Sequence, residues 1–141
     1  MSEKKKTNVD KWLESEDEHT REALEAASRH FEEKDSLTVN TLEAIYGKES
    51  SFGSDRRSRN IPGAAGDFQL EKNTAKRMGL TVSKENDQRF DVDDASAAAA
   101  KYAKKIDAFF SKETTLVKGL KTIPVSNPSE RKKFTIAAYN A

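Results

Sequence analysis

The 141-residue chain has no cysteine, three prolines and six glycines. Without cysteine there is no disulfide and no thiolate metal site, so the fold stands on packing alone and the redox compartment is left open. No apolar run approaches the roughly 18 residues that a membrane span needs. The opening MSEKKKTNVDKWLESEDEH has no apolar stretch behind its lysines, so the chain as written reads as soluble and without an export leader. A surplus of one charge is also lacking. Twenty-five basic residues against 24 acidic ones leave a net charge of +1, which provides neither the basic field that nucleic acid demands nor an acidic tail. Partners are therefore recognised locally, and nucleic acid is not expected among them. The only two histidines, His19 and His30, have no third ligand nearby, which argues against a metal site. There is no nucleophile elbow, phosphate loop or Cys/His pair, and no cofactor is expected.

The length suits about one domain. Residues Val9 to Phe31 read as a charged amphipathic helix capped by Asn8, with Val9, Trp12, Leu13, Leu24, Ala27 and Phe31 apolar and the stripe broken at EDEHTRE. Ser36 is expected to open a second helix, and SSFGSDRRSRNIPGAAG to end it with a long polar connection of the kind that is more often functional than not. A short helix over Asn73 to Met78 closes at Gly79. The clearest helix follows, with Ala95, Ala99, Tyr102, Ala103, Ile106 and Phe110 on one face and four consecutive alanines that permit close approach. Asn127, Pro128 and Glu130 supply an N-cap, an N1 residue and a capping-box acid for a last helix, with Phe134, Ala137 and Ala138 expected inward. Only Thr81 to Val82 and Ile123 to Val125 suggest short extended pieces. The fold class expected is mainly α with at most a small sheet.

Glu49 is the residue that first suggests chemistry. Leu42, Ile45 and Tyr46 recur at helical spacing, and Glu49 falls at i+7, i+4 and i+3 from them, on the same face. A carboxyl group set among those side chains loses solvation in its charged form, so its pKa is expected to rise toward that of a general acid. The plain alternative is a glutamate that closes the last turn and reaches solvent. No second acid repeats this burial pattern.

Gly63-Ala64-Ala65-Gly66-Asp67-Phe68-Gln69-Leu70 is the second informative stretch. Its glycines let backbone pass close to a ligand or another element, and Gln69 can donate and accept hydrogen bonds at a cleft rim, or simply cap the next helix.

Taken in order, Glu49-Ser50, then Gly63-Ala-Ala-Gly66-Asp-Phe-Gln69, then Ala138-Tyr139-Asn140 resembles the soluble lytic transglycosylases, family 23 glycosidases that include goose-type lysozymes. The segment RFDVDDASAAAAKYAKKI also looks like that family's alanine-rich helix. The resemblance covers roughly Leu37 to Ala141. It implies a lysozyme-like domain with minor β structure over 36–141, preceded by a charged helical extension over 1–35. It also implies that the chain stops short of further C-terminal helices.

The implied activity is cleavage of the β-1,4 bond between N-acetylmuramic acid and N-acetylglucosamine in peptidoglycan glycan strands. It would act at the bacterial cell wall, periplasmic or extracellular, reached by a leader since removed or by another route. Glu49 would serve as the single acid/base and leave a 1,6-anhydro product. Tyr139 would direct its hydroxyl toward Glu49, or be a core-edge aromatic. Gln69 and Asn140 would contact the sugar, though Asn140 also suits a helix C-cap. Phe68 would stack on a sugar or pack under the loop, and Ser50 would line the site or brace the loop. Asp67 stands where the family is usually apolar, so it either faces solvent or adds a second charge near the cleft. The rivals are a lysozyme that hydrolyses the same bond and a non-catalytic peptidoglycan-binding module of an envelope machine or phage particle. Oligomeric state is not legible.

Overall fold

The computed structural model describes residues 18–35, 37–51, 63–113, 115–121 and 123–139. Helix α1 (Glu18–Ser28) turns Ala23, Leu24 and Ala27 inward. It ends earlier than the apolar pattern suggested because the amides of Arg29 and His30 bond back three residues, to Ala26 and Ala27, and tighten the last turn. Phe31 still packs against the core from beyond the helix, while Val9, Trp12 and Leu13 lie outside the described residues.

Helix α2 (Val39–Ser50) begins after an extended Thr38, whose amide donates to the Thr41 hydroxyl at 3.1 Å. Ser36, the expected opener, lies outside the described residues. Leu42, Ile45 and Tyr46 are buried as their spacing predicted. Full burial of a leucine or isoleucine contributes about 1.5–3 kcal/mol, enough to hold the C-terminal half of this helix firmly. It stops at Ser51, left-handed at φ 49°, with its amide on the Gly47 carbonyl.

Helix α3 (Lys72–Arg77) is closed by Gly79 at φ 96°. The amides of Gly79 and Leu80 bond to Lys76 and Ala75, the paired bonds of a Schellman ending. A 3-10 turn, Gln88–Phe90, leads into helix α4 (Val92–Ser111), whose N-cap Asp91 accepts from the Asp94 amide. Ala95, Ala98, Ala99, Ala100 and Ala103 are all buried, so the alanine run lets α4 act as a central rod. On one side it meets α1, where the Ser96 hydroxyl reaches the Ala23 carbonyl and His19 pairs with Asp93 at 2.9 Å. On the other it meets the last helix.

The small sheet is not where the sequence pointed. Thr115–Val117 (β1) and Leu120–Lys121 (β2) form an antiparallel hairpin around Gly119 at φ 84°, whereas 123–125 is irregular. Val82 makes only an isolated bridge to Asp87.

Helix α5 (Pro128–Ala138) starts as expected, with Asn127 accepting from the Glu130 amide and Pro128 in the first turn. Its inward face requires a correction. Phe134 is half exposed and Ala137 exposed, while Arg131, Thr135 and, just past the helix, Tyr139 are buried. The reason is an ion pair: Arg131 Nε lies 2.8 Å from the Asp107 carboxylate on α4, and Nη1 donates to the Val125 carbonyl. That pairing rotates α5 so that its polar stripe, not its phenylalanine, meets the core. The described residues form a mainly helical fold with one short hairpin, in the mainly α class expected.

Candidate active site

The last turn of α2 carries Glu49 beneath the end of α5. Its side chain is only 13% exposed, with the Lys48 ammonium 3.7 Å from one carboxylate oxygen. Lys48 also donates to the Ile136 carbonyl at 3.0 Å, which ties α2 to α5 at the level of Glu49. A glutamate reaching out into solvent is not what is seen.

The 63–70 segment folds back on itself. Ala65 and Leu70 form an antiparallel bridge, and the Gln69 amide bonds to the Gly66 carbonyl across the tip. Two residues take left-handed backbone, Gly66 at φ 79° and Gln69 at φ 46°. The Gln69 side chain also donates to the Gly66 carbonyl, at 2.8 Å, so it braces its own loop instead of capping α3, where Glu71 occupies the cap position. Because the partner is a carbonyl, the amide nitrogen must be the atom facing it.

Phe68 joins this loop to α2 and to the end of α5. Its ring is fully buried and lies 5.6 Å from that of Tyr46 on α2. Its carbonyl accepts a 2.9 Å hydrogen bond from the buried Tyr139 hydroxyl at the end of α5. The Tyr139 ring in turn lies 5.2 Å from Tyr102 on α4. Burial foremost, then the negative charge of Glu49 and the neighbouring Tyr102, push the Tyr139 phenol well above its ordinary pKa of 10.0. Tyr139 is thus a fixed donor close enough to feel Glu49, and its proton goes to the loop.

Several expected roles change on this geometry. A fully buried Phe68 offers no face to a sugar, so packing under the loop is the role observed and its assignment as a substrate contact is withdrawn. Ser50 is also buried, with its hydroxyl donating to the Tyr46 carbonyl one turn back, which braces the helix end that presents Glu49. Asp67 is 6% exposed, which removes the solvent-facing alternative. With Asp35 and Asp107 also enclosed, Glu49 is not the single buried acid that the sequence pattern suggested. Asn140 lies outside the described residues.

The motif-bearing elements therefore converge: the end of α2, the 63–70 loop and the end of α5 meet through Tyr46, Phe68 and Tyr139. The family model of the transglycosylase SLT domain matches residues 27–141, a span that contains all three. The chain belongs to the transglycosylase SLT family. No curated protein matches it. Membership makes this an SLT domain with a lysozyme-like, mainly α fold, and at family level a glycan-cleaving enzyme of the cell wall whose substrate is peptidoglycan. Among the described residues no helix of the SLT domain is long and apolar enough to cross a membrane.

Two features of this SLT site escaped the sequence. Lys48 was not singled out, and its bond to the Ile136 carbonyl ties α2 to α5 beside Glu49. Arg89, 1% exposed, donates from Nη1 to the carbonyls of Gly63 and Leu70 and from Nε and Nη2 to Asp87. Nothing in the polar stretch around it marks it as buried: Asp87 is near in sequence, but the two carbonyls that draw the guanidinium inward are nineteen and 26 residues away.

Proposed function

We propose that this SLT domain is a lytic transglycosylase in which Glu49 alone provides acid and base. Protonated Glu49 would deliver its proton to the glycosidic oxygen between N-acetylmuramic acid and N-acetylglucosamine as that bond breaks. The resulting carboxylate would then take the proton of the muramoyl 6-hydroxyl, whose oxygen closes on C1 to leave a 1,6-anhydro ring. No water is consumed and Glu49 regains its proton. The observation that carries this reading is the enclosure of Glu49 at the meeting point of α2, the loop and α5. A positioned acid in such a setting contributes about 10²–10⁴-fold to rate.

Within this reading Tyr139 shapes the site through its bond to the loop, and Gln69 and Asn140 contact the glycan. The domain organisation proposed is a catalytic domain over 36–141 and a charged extension over 1–35, of which α1 lends its apolar face to the shared core. Action is proposed at the cell wall, periplasmic or extracellular.

Asp67 favours a second reading. Asp67 is enclosed, so this reading needs the 63–70 loop to open until the carboxylate can hold a water against the sugar, as the second acid of an inverting glycosidase does to hydrolyse the bond. The experiment that tests the acid is Glu49→Gln, which keeps the shape but cannot deliver the proton. Release of soluble fragments from purified peptidoglycan is expected to vanish while the circular dichroism spectrum stays unchanged. Near-normal release by that variant would reject Glu49 as the acid.

A further inference from the structure

The second glycine of the loop and the buried arginine form one device. Gly66 sits directly against the main-chain carbonyl of Arg89, and a Cβ at that position would collide with it; its φ of 79° disfavours any side chain there as well. From the same residue the guanidinium reaches back to the two ends of the loop, donating from Nη1 to the Gly63 carbonyl and, at 3.0 Å, to the Leu70 carbonyl. Two further donors reach the Asp87 carboxylate, Nε at 2.9 Å and Nη2 at 2.7 Å. Asp87 also accepts from the Arg89 amide, so the pair is locked to the 3-10 turn that starts α4. One residue therefore grips the loop at its beginning, its tip and its end.

A buried charge is a poor choice if filling space is the only need, since apolar residues of similar volume often stabilise as well or better. A planar fork with five donors is a good choice if two carbonyls must be held in a fixed relation to each other and to a third element. Between those carbonyls lie Phe68, whose own carbonyl receives the Tyr139 hydroxyl, and the left-handed Gln69.

We infer that Arg89, oriented by Asp87, is a positioning residue of the active site that fixes the 63–70 loop and, through the Phe68 carbonyl, the Tyr139 hydroxyl. The inference rests on the proposed function for its catalytic consequence but not for its geometry.

Arg89→Lys keeps the charge and loses the fork; Asp87→Asn keeps the fork and loses the charge that orients it, and serves as the second variant should the first not fold. Three quantities are read well below each variant's melting temperature: kcat and KM on solubilised glycan strands, hydrogen exchange of the 63–70 amides, and the Tyr139 phenol titration followed by ¹³Cζ NMR. The expected result is a fall in kcat of about 10–100-fold with KM less affected, faster loop exchange, and a Tyr139 titration moved down toward its ordinary value. A variant with a lowered melting temperature but wild-type kcat, loop exchange and Tyr139 titration would overturn the inference and leave Arg89 a packing residue. A wild-type protein that cuts no glycan would remove the proposed function, and the exchange and titration readouts would then decide the clamp alone.

Discussion

The Tyr139 hydroxyl donates a 2.9 Å hydrogen bond to the main-chain carbonyl of Phe68, 71 residues away in sequence and wholly buried. This contact fastens the last helix to the 63–70 loop, and it defines what Tyr139 does: its proton supports backbone, while its ring and dipole sit within electrostatic reach of Glu49.

Tyr139→Phe removes that donor and leaves a buried carbonyl short of a partner. The expected loss of stability is about 1–3 kcal/mol in urea unfolding. Because the loop and the acid would lose their common support, kcat is expected to fall more than substrate affinity. Equal losses in kcat and affinity would indicate a packing role only.

Asp87 and Asp107 are expected to titrate on opposite sides of the unfolded value of about 3.9. Burial alone would raise Asp87, but hydrogen bonds from the Arg89 side chain and backbone, with its charge, bring it below the usual range. Its contribution to stability is present above the unfolded pKa and is lost as pH falls through the lower folded value. Asp107 is raised, by burial first and by the charge of Asp35, against the opposing pull of Arg131. The folded protein therefore holds that proton to higher pH than the unfolded chain, and the stability this gives declines as pH rises from about 3.9 through the folded pKa. Carboxyl ¹³C titrations measure both: a lowered Asp107 would show that Arg131 outweighs its burial, and a raised Asp87 that Arg89 does not hold it.

Gly66→Ala meets both a left-handed backbone and the Arg89 carbonyl. Left-handed strain alone costs about 1–3 kcal/mol, and the collision adds to it because backbone cannot yield as a flexible side chain would. Gly79→Ala, at a site with open space around it, is expected to pay the strain only. Similar melting temperatures for the two variants would show that the loop does not bear on Arg89.

Arg131→Met leaves Asp107 buried without its partner, an expected loss of about 3–5 kcal/mol. Phe134→Ala, at a half-exposed position on the same helix, is expected to cost under about 1 kcal/mol. The reverse ranking in denaturant unfolding would restore the face assigned to α5 from its apolar residues.

Elements with strong periodicity or sharp punctuation were legible in the sequence: the alanine face of α4, the apolar face of α2, and the Gly79 and Asn127-Pro128 boundaries all stand where local chemistry puts them. What misled was the assumption that apolar residues choose the buried face. On α5 the Asp107–Arg131 pair makes that choice, and no local pattern on either helix announces a partner 24 residues away. The hairpin at Lys118-Gly119 was missed because its strands are two and three residues long, too short for alternation to register. Of the site, the order of the motifs was readable, but not the roles of Phe68 and Arg89, which depend on backbone carbonyls that a sequence does not display.

The most direct test of the central claim is the mass of the muropeptides released from purified peptidoglycan by this chain, with Glu49→Gln run in parallel. The account predicts products lighter by one water than reducing muropeptides, formed by the native chain and absent with the variant. Reducing-end products, or release that persists without the Glu49 carboxyl, would contradict it.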